Sequence, residues 1–268
     1  MDDVLIIKIG GQVIDDEDKL HRALAGFAAL NYSKILVHGG GKTANSLLNR
    51  LEIEQRIING RRVTNLDSLH VVQMVYAGLV NKNIVAKLQS MKCNSVGLSG
   101  ADANCILAQK RPVHEIDYGY VGDIIQVNSS ILIKFMEQGL TPVICALTHD
   151  GFGRMLNTNA DTIATQVGIS LAKLYKVSII YCFEQNGVLT DLEDKSSVIS
   201  DLHPGYYQQL KAAGKINEGM IPKLDNAFQA LGHGVHNVYI THYQSLENLS
   251  DINSLSATRV TLFEKNEK

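Results

Sequence analysis

The sequence predicts an α/β protein built on parallel strands, from three observations. Apolar runs of strand length end in glycines at Val4–Gly11 and again at Lys34–Gly41, and helix-patterned stretches follow. The helical stretch between the two runs makes them a βαβ unit, whose right-handed crossover sets the strands parallel. From Lys176 onward the chain returns to the same alternation of strand and helix.

Composition narrows the class. The 268 residues suffice for one large domain or two lobes. A chain of this size buries roughly three quarters of its unfolded surface and needs no covalent staples. Hydrophobic residues make up 45% and the net charge is −2, which excludes a disordered chain and a basic field for nucleic acid. Cys93, Cys105, Cys145 and Cys182 are scattered without a C-x-x-C and read as reduced thiols of a cytoplasmic protein. There is no signal peptide and no apolar run approaching the roughly 18 residues of a membrane span.

In the first strand, Val4-Leu5-Ile6-Ile7-Lys8-Ile9, one charge sits among apolar residues. Such a lysine is costly unless paired or bound to an anion. Either it reaches solvent from an edge strand, or it joins the Gly10 and Gly11 backbone at a ligand. Asp15 or Asp16 can cap the next helix, whose apolar stripe is Leu20, Leu24 and Phe27. The second strand runs into Gly39-Gly40-Gly41, and Ala44, Leu47, Leu48 and Leu51 continue as a helix. Both glycine turns fall at the carboxyl edge of the sheet, where open α/β sheets bind ligands and helix starts present unpaired N–H groups. Gly41-Lys42-Thr43 resembles the end of a P-loop, but the first glycine would fall at Leu36, inside the strand. Gly39, Gly41 and Ala44 satisfy a dinucleotide fingerprint, yet Ile57-Ile58-Asn59 brings no acid to complete it.

Asn59-Gly60-Arg61-Arg62-Val63-Thr64 is a turn with two arginines, and Arg62 is placed to grip a carboxylate. Thr64 and Asp67 resemble a capping box for a long helix from Leu66 to Met91, apolar on more than one face, as at a subunit interface. Short strands and hairpins are expected from Ser95 to Val127, with Asp102, Lys110, Arg111 and Asp117 solvated in their loops. A helix over 129–139 and a strand over Pro142–Leu147 follow. In Asn157-Thr158-Asn159-Ala160-Asp161, an asparagine can cap the next helix and Asp161 can sit in its first turn. The same place suits a catalytic carboxylate. A boundary near Ala172–Lys176 divides lobes 1–174 and 175–268. Beyond it come a strand (Lys176–Phe183), a turn (Asn186–Leu189) and helices from Pro204 and from Gly219, then a final strand (Val238–Thr241). Lys223 lies in a first helical turn, where the dipole disfavours a cation unless an anion is near. His233 and His236 read as loop residues, and no metal site is expected.

Five motifs stand in order: Lys8-Ile9-Gly10-Gly11, His38-Gly39-Gly40-Gly41, Asn59 to Thr64, Asn157 to Asp161, and Gly219-Met220-Ile221-Pro222-Lys223. Together they resemble the N-acetyl-L-glutamate kinases of the amino acid kinase superfamily, over essentially the whole chain. The resemblance implies an open, mostly parallel sheet with helices on both faces. It implies an N-terminal lobe for acylglutamate and dimerisation, and a C-terminal lobe for ATP, with Mg²⁺ carried by the nucleotide. The reaction implied is phosphorylation of the side-chain carboxylate of N-acetyl-L-glutamate, in arginine biosynthesis. By motif match, Lys8, Lys223 and Asp161 are catalytic. Gly40, Gly41, Arg62 and Asn157 hold the amino acid. Gly10, Gly11, Phe183, Glu184, Gly187, Val188, Leu189, Lys215, Ile216 and Asn217 border the phosphates or ATP.

Three departures matter. Arg61 replaces a usually apolar residue, so it either reads a second carboxylate, as in N-succinyl-L-glutamate, or points to solvent. Tyr181 to Gly187 lacks the usual Thr/Ser-Asp pair, and Glu184 is its substitute. The chain starts directly at the first strand, which suggests a plain homodimer without arginine feedback. A dinucleotide-dependent oxidoreductase leaves Lys8, Asp161 and Lys223 unexplained. A non-catalytic sensor on the same fold has no need to keep them.

Overall fold

Six of the seven residues of strand β1 (Asp3–Ile9) are buried in unbroken succession, so both of its faces are covered. Only a strand inside a sheet flanked on both sides meets that condition. The computed structural model describes residues 3–58, 61–191, 193–216, 219–247, 249 and 251–263. Asn59, Gly60 and Asn217, singled out above, lie outside the described residues.

In chain order, β1 leads through the short helix α1 (Gly11–Ile14) and α2 (Glu17–Ala29) to β2 (Ser33–His38) and α3 (Gly41–Arg50). The strands β3 (Arg56–Ile58) and β4 (Arg61–Val63) pair antiparallel. The long helix follows as α4 (Leu66–Gln73), a π-helical stretch over Met74–Val80, and α5 (Asn81–Ser90). Next come β5 (Ser95–Leu98), β6 (Ile106–Lys110), β7 (Gly122–Val127), α6 (Ser129–Glu137), β8 (Thr141–Cys145), β9 (Leu147–His149) and β10 (Met155–Asn157). The chain then forms α7 (Ala160–Leu171), β11 (Lys176–Phe183), β12 (Asp201–Leu202), α8 (Pro204–Ala212), α9 (Ile221–Gly232), β13 (Asn237–His242) and β14 (Thr258–Val260).

The main sheet has the order β12-β14-β13-β11-β1-β2-β8-β5. Its pairs are parallel except β13 with β14. A second sheet, β10-β9-β6-β7, and the β3–β4 hairpin stand apart from it. The hairpin is tied to the loops before β7 by Thr64 N–H donating to the Tyr118 carbonyl and Tyr120 N–H to that of Thr64. Helix α7 packs on β1, β2 and β11 and against α9, while α2 packs against α5. Successive strands leave β1 in opposite directions, to β2 on one side and β11 on the other. Ligands bind at such a switch point, outside the carboxyl ends of the strands.

Of the two candidate caps for α2 one is realised, and several other local expectations are corrected. Asp16 caps α2, accepting from the N–H groups of Asp18 and Lys19. The cap of α4 is Asn65, which accepts from Ser68 N–H at 2.8 Å, so the Thr64–Asp67 capping box does not form. Thr64 instead bridges to Gly119, in the loop before β7. Ser95–Leu98 extends the parallel sheet beside β8 rather than forming a hairpin. β14 adds an antiparallel strand beyond the one expected to be final. Arg111 is not a solvated loop residue: it pairs with Asp123, Nε to Oδ1 at 3.1 Å.

The four cysteines are buried free thiols, and burial pushes Cys105, Cys145 and Cys182 up to about 12, which keeps them unreactive. No helix among the described residues is long and apolar enough to cross a membrane.

Candidate active site

The carboxyl edge of the main sheet opens into a cavity of about 480 Å³. Lys8, Gly11, Gly40, Gly41, Arg61, Arg62, Asn157, Asp161 and Lys223 all line it, though they come from five separate stretches of chain.

Asp161 is the junction. Its carboxylate sits in the first turn of α7, below the Asn159 cap, and is 4% exposed. Lys8, rising from β1, places Nζ 2.7 Å from Oδ1, and Lys223, from the first turn of α9, places Nζ 2.9 Å from Oδ2. The Lys8 contact is an ion pair outside hydrogen-bonding angles, whereas Lys223 donates a hydrogen bond. Burial alone would raise the Asp161 pKa, but the two ammonium groups outweigh it and hold the carboxyl well below the usual carboxylate range. Burial lowers the Lys8 pKa against the pull of Asp161, and the nearby Lys223 lowers it further. Two cations against one anion leave a net positive centre at the cavity wall. The lysine in an apolar strand is therefore neither solvated nor unpaired.

Glycine turns supply the second component. Gly40 has φ +155°, and a Cβ there would meet Tyr76 Cδ1 at 2.9 Å, so only glycine fits. The N–H groups of Gly11, Gly40 and Gly41 make no hydrogen bond within the described residues, as expected at helix starts. The Gly10 N–H differs: it donates to the Cys182 carbonyl at 3.1 Å and is committed to the sheet.

The arginines of β4 close the cavity. Arg62 is braced by Gln55 Oε1 at 3.0 Å and by Asn45 Oδ1, which orients its guanidinium. Asn157 donates to Thr64 Oγ1 at 3.0 Å, tying β10 to the same hairpin. Arg61 is half-buried; burial lowers its pKa, as does neighbouring Arg111, against the pull of Asp123. Asn45, Tyr76, Arg111 and Asp123 also line the cavity and were not anticipated. Asn45 lies on α3, Tyr76 on the π-helical stretch, Arg111 just after β6 and Asp123 on β7, and it is the fold that brings them to the cavity.

Of the residues expected around the phosphates or ATP, Gly11 lines this cavity, whereas the described ones from Phe183 to Ile216 do not. Glu184 pairs with Lys19 of α2. Val188 and Leu189 are buried, and Val188 N–H donates to Thr258 Oγ1 at 2.8 Å. A Cβ on Gly187 would approach the same Oγ1 to 2.5 Å. Phe183 ends β11 half-buried, Ile216 is buried and Lys215 is exposed.

The model of the amino acid kinase family matches residues 3–242. The chain is 51% identical to an acetylglutamate kinase of Cytophaga hutchinsonii over 97% of its own length and 99% of that protein. It is 47% identical to one of Parabacteroides distasonis, over 97% and 100%. Among solved structures, carbamate kinase from Giardia lamblia bound to AMP-PNP shares the fold, with a TM-score of 0.68, 12% identity, and coverage of 97% and 98%. With relatives near half identity over almost all of both chains, and a glycine-edged, lysine-lined cavity where the sheet changes direction, the chain belongs to the amino acid kinase family.

Proposed function

We propose that the chain transfers the γ-phosphoryl group of ATP to the side-chain carboxylate of N-acetyl-L-glutamate, forming an acyl phosphate for arginine biosynthesis. The observation that carries this reading is the pair of lysines converging on one buried carboxylate beside open glycine N–H groups. The relatives' names supply the acceptor.

A glutamate side chain has a pKa near ~4.3 and is already ionised at neutral pH, so no general base is needed. The barrier is bringing this anion up to a polyanion, and positive charge with positioning lowers it. In this reading Arg62 and Asn157, with the Gly40–Gly41 backbone, hold the amino acid. Lys8 and Lys223 flank the transferring group, with Gly11 and Gly40 donating N–H bonds to it. Asp161 keeps both ammonium groups aimed. Asp161 is the buried acid among the cavity residues and is committed to the lysines, so Mg²⁺ is placed with the ATP phosphates, whose charge it neutralises when bound. The stretch Phe183–Leu189, with Lys215 and Ile216, is proposed to border the nucleotide. The lobes 1–174 and 175–268 are proposed to divide acceptor from ATP.

The test is incubation with MgATP and hydroxylamine, which traps an acyl phosphate as a coloured hydroxamate. Colour with N-acetyl-L-glutamate is expected, at a higher kcat/KM than with N-succinyl-L-glutamate, which the relatives' names do not favour. ATP binding without colour would refute the acceptor.

A homodimer through the long helix is part of the proposal. Leu66, Met74 and Leu79 stay about half exposed along it, an unusual apolar content for a solvated helix. Light scattering should give a dimer for the wild type and a monomer for Met74→Glu/Leu79→Glu; a wild-type monomer would remove the dimer. The site of such a dimer is cytoplasmic in this reading.

A further inference from the structure

His38 closes β2 immediately before the glycine turn, and its side chain is fully buried. Its Nδ1 lies 2.7 Å from the Gly39 carbonyl oxygen and its Nε2 lies 2.9 Å from Asn81 Nδ2. The protonation of the ring follows from its neighbours. Asn81 Nδ2 also faces the Val143 carbonyl at 2.9 Å, which can only accept, and Asn81 Oδ1 faces Lys82 Nζ at 3.2 Å, which can only donate. The amide therefore has one orientation. A Cβ on Gly97 would fall 1.9 Å from Asn81 Oδ1, so glycine there leaves the space that the amide oxygen occupies. Its second N–H points at Nε2, which must accept. The ring proton is then on Nδ1 and donates to Gly39. Burial, with the Lys82 charge, lowers the His38 pKa to about 4 despite the Gly39 bond, so the neutral ring persists at working pH.

Gly39 C=O and Gly40 N–H belong to one peptide unit, and none of the described peptide bonds is cis. In a trans peptide the two bonds point in opposite directions. We propose that His38 is a positioning residue: by holding the Gly39 carbonyl down against its buried ring, it turns the Gly40 N–H up into the cavity. The Tyr76 ring packs where a Gly40 side chain would stand. His38 thus acts on the reaction without touching the reactants. The role rests on the kinase reading, in which that N–H meets the transferring group.

Two conservative substitutions separate this role from a structural one. His38→Asn keeps an amide donor at the Nδ1 position but gives up the partner of Asn81. His38→Gln keeps an acceptor at the Nε2 position and loses the Gly39 clamp. His38→Asn should have the lower Tm yet keep kcat within about threefold, while His38→Gln should lose about ten- to a hundredfold in kcat. KM for the acylglutamate should change less than kcat in both. If kcat follows Tm in the two variants, or both variants match the wild type, the role is structural and the proposal is overturned. An inactive wild type in the hydroxamate assay would instead overturn the kinase reading. Imidazole ¹⁵N NMR of the wild type is independent of turnover. A protonated Nδ1 and unprotonated Nε2 are expected from about pH 6 to pH 9; the opposite tautomer would overturn the clamp.

Discussion

Lys8→Ala is expected to lower kcat by about 10²–10³-fold, the usual consequence of deleting one preorganised charge or donor at a developing anion. The side chain is 9% exposed and points from β1 at the carboxylate shared with Lys223. Its removal takes a cation from the cavity wall without cutting the sheet, since β1 keeps its ladders to β2 and β11. Circular dichroism should therefore remain native while turnover collapses. The pH profile gives the same residue a second signature. Burial lowers the Lys8 pKa, so the ammonium is lost earlier than an ordinary lysine as pH rises. kcat/KM should fall on the alkaline side below roughly 10.4, and Lys8→Arg, which stays charged, should lack that limb. Near-normal turnover of Lys8→Ala would remove Lys8 from the mechanism.

Asp161→Asn should cost both stability and activity. The substitution leaves two ammonium groups facing a neutral amide inside the protein. Breaking a buried ion pair in this way typically costs about 3–5 kcal/mol. The native carboxyl is held below its usual range, so the native state binds fewer protons at this group than the unfolded chain. Its stabilisation is therefore complete at neutral pH and fades as pH falls below about 3.9 and then through the lowered native value. Urea unfolding should show a wide gap between wild type and Asp161→Asn at neutral pH and a narrowing gap in acid. An equal gap at both, or none at neutral pH, would mean the lysines do not depend on this carboxylate.

What the sequence disclosed follows from how local each signal is. Glycine after an apolar run marks a strand end wherever the strand lies in the sheet, so both cavity turns were legible. Lys8 and Lys223 stood out because each breaks a local rule: a charge in an apolar strand and a cation in a first helical turn. Their convergence on Asp161 is a long-range fact. The π segment at Met74–Val80 was hidden because its period differs from the α-helical one and its residues are apolar on several sides. Arg111 read as a loop charge because Asp123, its partner, lies across the β6–β7 pair. β14 is three residues long, too short for alternation to announce it.

The order of the main sheet also governs how the molecule comes into being. Strand β1 leaves the ribosome well before one of its two neighbours, β11, which begins opposite Asp3 only at Lys176. At typical synthesis speeds, on the order of ten seconds or more separate the two. Throughout that interval a flat, apolar strand carries a row of unsatisfied backbone groups, which is the template on which chains join one another. The parts of the chain before and after residue 174 are therefore not independent folding units. Truncation near residue 174 would leave an adhesive strand with one side unpaired, and the nascent chain is a natural client for a chaperone until its last third arrives.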